Sequence, residues 1–102
     1  MPWFIKTEKF TAQTLTLLPE QRQTYLAAHH EWIKALRSEG VKVSSGFLVD
    51  AEQRPGGGGL LVLQADSFEA AKRLVEQDPM IVEGLVKWDL QQWIPVCGEL
   101  IA

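Results

Sequence analysis

Two residues in this 102-residue sequence have the chemistry and the placement to move protons near neutral pH: His29 and Asp78. An imidazole changes charge in the physiological range. A carboxylate bonded to one ring nitrogen fixes the tautomer and leaves the other nitrogen free as a general base. His29 has Tyr25, Leu26, Trp32 and Ile33 as its neighbours three and four residues away on a helix. The ring is therefore expected in the middle of an apolar stripe, where an unpaired polar group costs about 1–3 kcal/mol. It needs a partner, which a backbone carbonyl or an acidic side chain can supply. His30 faces Ala27 and Lys34 as well as Leu26 and Ile33 and is expected at the surface. Asp78 precedes Pro79, so it can also cap a short turn opened by that proline. The two uses are compatible, because a carboxylate has two oxygens.

The elements that must bring these residues together follow from periodicity. Trp3 to Thr7 is a short apolar run of strand length, and Glu8 to Leu18 reads as a loop. Pro19 and Glu20 suit a first helical turn. From Gln21 to Glu39 apolar residues recur at helical spacing until Gly40 stops them. Val41 to Val49 is expected as a strand. Asp50 to Gly59 reads as a long hairpin connection, and Leu60 to Leu63 as the third strand. Asp66, with Glu69 three residues on, is the expected cap of a second helix that buries Phe68, Ala71, Leu74 and Val75 and ends at Asp78-Pro79. Val86, Trp88 and Leu90 alternate with polar residues in a last strand. The order β-α-β-β-α-β is the split βαβ pattern of an α+β, ferredoxin-like domain with a four-stranded antiparallel sheet. Its two helices run antiparallel on one face, which carries the end of the second towards the level of His29.

Leu60 to Leu63 shows no polar alternation, as expected of a strand buried on both faces. Two helices cover only one face. A second copy of the chain is the expected cover for the other, and Trp88 and Trp93, of opposite parity, suggest that both faces of the last strand are used.

Other features carry less. The Gly56 to Gly59 run lacks the Lys-Ser/Thr of a phosphate-binding loop and leads into a strand, so it is expected as a flexible hairpin loop. Cys97 stands alone, with no base beside it to lower its pKa, and is expected to be a bystander. The four tryptophans suit a pocket for a flat ligand or ordinary packing. The central strand Leu60 to Ala65 has no aromatic residue for stacking bases, and acidic residues outnumber basic ones for a net charge of −3, so nucleic acid is not an expected partner. With 46% hydrophobic and 23% charged residues the chain reads as one soluble domain, residues 1–102, with its core at about 3–96 and a C-terminal extension at 97–102. No leader and no apolar run of ~20 residues is seen, so a cytoplasmic location without membrane association is expected.

Arg22 and His29, Trp32, Gly40, Ser45-Gly46, Glu69-Ala70-Ala71, Asp78-Pro79-Met80 and Gly84-Leu85 together resemble, in order and spacing, the YciI-like (YCII-related) family. The resemblance runs from Trp3 to about Val96. It implies a ferredoxin-like subunit, dimeric through the sheet face, with a His-Asp pair at the active site; these roles carry over to His29 and Asp78. A pocket beside this pair is expected to be lined by Tyr25, Trp32, Ser45 and Phe47. The chain departs from many members at Leu26, where they carry arginine, and at Phe47, where they carry proline. Related proteins include a dehydrochlorinase acting on chlorinated hydroxyhydroquinones, and muconolactone isomerases share the architecture. The expected function is an acid–base enzyme of lyase, isomerase or dehydrochlorinase type, acting on a small cyclic molecule without a cofactor or metal. The alternative is a non-catalytic dimeric module that binds a small ligand or a protein partner.

Overall fold

A computed structural model describes residues 1–100 of the chain; residues 101–102, the end of the expected C-terminal extension, lie outside the described residues. The elements are β1 (Trp3–Phe10), α1 (Ala12–Leu15), α2 (Pro19–Ser38), β2 (Val43–Val49), β3 (Pro55–Gln64), α3 (Phe68–Val75), α4 (Pro79–Val82) and β4 (Val86–Trp93). The four strands form one antiparallel sheet in the order β2-β3-β1-β4. This is the α+β ferredoxin-like arrangement, with two short helices added to the two long ones. No helix among the described residues is long and apolar enough to cross a membrane.

One face of the sheet carries the core. Phe4 of β1 lies opposite Leu63 of β3, and Lys6 lies opposite both Leu61 and, on β4, Leu90. Phe4, Leu61, Leu63 and Leu90 pack with Ala71 and Val75 of α3, and Trp32 and Ile33 of α2 lie against them. The other face presents Trp3, Ile5, Leu60, Val62 and Trp93, all half-buried. The apolar run of β3 thus divides by parity, Leu61 and Leu63 inward and Leu60 and Val62 outward. Trp88 and Trp93 divide the same way.

Phe68, expected in the buried stripe of the second long helix, is 41% exposed at its first turn, and four further local expectations need correction. First, β1 continues to Phe10, and the segment read as a loop contains α1, whose cap Thr11 accepts from the Thr14 amide. Four residues are too few to show a helical period. Second, β2 begins at Val43 rather than Val41, because the chain there is still closing α2. Gly40 adopts φ +89° and donates to the Arg37 carbonyl, while the Val41 amide donates to that of Leu36. These two bonds form a Schellman cap, which needs a left-handed residue at Gly40. Third, Ser67, not Asp66, caps α3, its hydroxyl accepting from the Ala70 amide. Fourth, the glycine run is strand. Gly56 to Gly59 belong to β3, with Gly58 and Gly59 opposite Lys9 and Glu8 of β1 and Gly59 also opposite Phe47 of β2.

Candidate active site

Asp78 sits at the turn between α3 and α4, where its side chain serves two ends at once. As the cap of α4 it accepts from the Met80 amide through Oδ1 at 3.0 Å. The same oxygen lies 2.9 Å from His29 Nδ1, and Oδ2 accepts from Lys6 Nζ at 2.9 Å. Three donors converge on one carboxylate inside the protein. Burial alone would push its pKa up, but the hydrogen bond from His29 and the charge and hydrogen bond of Lys6 outweigh it. The carboxyl is held below the usual Asp value.

His29 is 7% exposed and projects from the middle of α2. Because Asp78 is held ionised, Nδ1 carries the proton in that contact. In the neutral imidazole with this tautomer, Nε2 has a free lone pair and accepts from the Ser45 hydroxyl at 2.8 Å. Trp32 lies against the imidazole with ring centroids 5.7 Å apart, fixing its orientation from the core side. The result is a continuous relay, Ser45 to His29 to Asp78 to Lys6. Its outer end opens on a cavity of about 460 Å³, whose wall includes Glu8, Arg22, Leu26, His29, His30, Ser45, Phe47, Met80 and the main chain of Gly56 to Gly59. A hydroxyl, an oriented imidazole and a buried carboxylate in line form the arrangement that supports a general base.

A family model for the YCII-related domain matches residues 3–93. The chain belongs to this family. Among curated proteins, the YCII-related chain is 29% identical over 85 residues to the uncharacterized protein YjpA of Bacillus subtilis, covering 82% of this chain and 94% of YjpA. Among solved structures it is similar to 5-chloro-2-hydroxyhydroquinone dehydrochlorinase (TftG) from Burkholderia phenoliruptrix, in complex with 2,5-dihydroxybenzoquinone. The TM-score is 0.69 at 22% identity, over 90% of this chain and 93% of TftG. A designed protein, Ferredog-Diesel, matches with a TM-score of 0.57 at 12% identity, over 89% of this chain and 84% of its own. At these identities the structural likeness establishes the fold alone.

The other expected site residues divide between the two sides of His29. Ser45 and Phe47 of β2 line the cavity, but Tyr25 and Trp32 do not. At 3.6 residues per turn, Arg22, Leu26 and His30 flank His29 on the cavity side, whereas Tyr25 and Trp32 lie towards the opposite flank. Sequence reasoning missed Lys6 and Glu8, and it named Arg22 only as part of the resemblance, with no site role. Lys6 shares the inward parity of Phe4 and is fully buried, and it pairs with Glu8 on the same side of the strand as well as with Asp78. A lysine at an inward position of an otherwise apolar strand, two residues from a glutamate, was the available signal.

Proposed function

We propose that this YCII-related protein is an acid–base enzyme of lyase or isomerase type acting on a small cyclic molecule, with His29 as the base and Asp78 as its orienting partner. One observation carries the reading. His29 has Nδ1 committed to a buried carboxylate and Nε2 facing a hydroxyl at the cavity wall. A substrate proton delivered to Nε2, directly or through the Ser45 hydroxyl, creates an imidazolium that Asp78 stabilises. The same nitrogen then returns the proton to another atom of the substrate or to a leaving group. Lys6 keeps Asp78 ionised, so the carboxylate stays a carboxylate while His29 cycles. A ring the size of the quinone found with TftG fits a cavity of about 460 Å³. The working unit in this reading is a homodimer in which a second copy covers Trp3, Ile5, Leu60, Val62 and Trp93.

The test is a turnover screen of lactones and halogenated hydroxyquinones on the wild type and His29→Asn, alongside thermal unfolding of both. The expected result is turnover that His29→Asn lowers by about 10²–10⁴, the usual contribution of a positioned base, with the fold retained. An inactive wild type that still binds such rings would reject catalysis and leave a binding module.

A further inference from the structure

Arg22 stands two turns before His29 on α2, so the two side chains leave the helix along one line into the same cavity. Its guanidinium is charged at every physiological pH. Among the described residues no carboxylate lies within ion-pair distance of it, and its buried Nε has no hydrogen-bond partner. The one carboxylate on the cavity wall among the described residues, Glu8, is already held by Lys6, which is itself bonded to Asp78. Among the described residues, the cavity therefore contains a cation without a counter-charge. Leu26, Phe47, Met80 and the side-chain-free wall of Gly56 to Gly59 surround it, and such low-polarity surroundings strengthen a charge–charge contact.

Resting on the reading of this cavity as a small-molecule site, we infer that Arg22 anchors the anionic group, a carboxylate or an ionised phenol, of a ring substrate whose reacting edge faces His29 Nε2. The spacing suits such a molecule. The two Cα atoms are separated by about 10.5 Å along the helix at 1.5 Å per residue, and both side chains reach inward, leaving a gap that one six-membered ring with a single substituent spans. Glu8 sets the opposite limit, because its carboxylate disfavours a second negative charge on the ligand. The preferred ligand is a monoanion.

Calorimetric titration with benzoate and with benzamide, which has the same ring and size but no charge, tests this directly. The wild type is expected to bind benzoate about tenfold more tightly than benzamide. Arg22→Met, which keeps the length of the stem, abolishes the difference, and His29→Asn retains it. If Arg22→Met fails to fold, Arg22→Gln serves, and in the wild type the preference must vanish as benzoate is protonated in acid. Equal affinities in the wild type, a preference that survives loss of the arginine, or binding of neither ring at millimolar concentration would overturn the assignment. The failures are separable. Turnover without charge preference sinks the anchor alone, and charge preference without turnover sinks the enzyme reading alone.

Discussion

Lys6 Nζ lies 2.9 Å from Asp78 Oδ2 across 72 residues of sequence, and both side chains are 0% exposed. An ammonium and a carboxylate buried together hold each other in place. Neither tolerates loss of its partner, because a lone buried charge retains its full desolvation penalty. Lys6→Met is therefore expected to cost about 3–5 kcal/mol in denaturant unfolding. Combining it with Asp78→Asn should cost less than the sum of the two single changes. Strict additivity in that double-mutant cycle would mean that the pair does not interact energetically.

The depressed pKa of Asp78 fixes the sign of an acid effect. The native state releases the Asp78 proton at lower pH than the unfolded chain does, so between the two values the unfolded state binds more protons and stability rises with pH. The contribution is complete above the ordinary Asp value of about 3.9 and is lost as pH falls through the native one. Urea midpoints measured from neutral pH downwards should fall in that acid window for the wild type. In Asp78→Asn this component of the slope should be missing, and parallel profiles would contradict the assignment.

Gly59 is held to glycine by contact. A Cβ there would meet Glu8 Cγ at 3.1 Å and Cδ at 3.3 Å, so Gly59→Ala pushes on the side chain that pairs with Lys6. Thermal unfolding should register about 1–3 kcal/mol of destabilisation, typical of overpacking. Gly46→Ala, whose new methyl meets nothing within 4 Å, is the matched control and should stay within about 0.5 kcal/mol.

The proposed dimer rests on the outward strip of Trp3, Ile5, Val62 and Trp93. An interface of ordinary size buries about 1,600 Å² in total. Sedimentation at tens of micromolar should return a dimer for the wild type and a monomer for Ile5→Lys, which places a charge on β1, the middle strand of the strip. A monomeric wild type would remove the second copy from the functional reading.

Much of this arrangement is legible in the chain because long elements reveal themselves by period. The helix of Tyr25, His29, Trp32 and Leu36 and the alternation of Val86, Trp88 and Leu90 are examples. The approach of Asp78 to His29 follows from antiparallel packing alone. What stayed hidden depends on pairing rather than pattern. Gly56 to Gly59 have no propensity for strand, and flanking strands hold them there through register. Asp66 and Ser67 are both good helix caps, and only the bond to Ala70 decides between them. Lys6 was masked by its apolar neighbours, since a cation in a core strand makes sense only once Asp78, far along the chain, is known to lie beneath it.

The Met80 amide donates to the same Asp78 oxygen that accepts the hydrogen bond from His29 Nδ1. Any event that loads or unloads the imidazole redistributes charge on that oxygen, and the first turn of α4 senses it. The backbone amide of Met80 is thus an internal spectroscopic reporter. In a nitrogen-15 NMR titration its resonance should track occupancy of the cavity without any dye, label or turnover assay, so ligands can be ranked before a reaction has been identified.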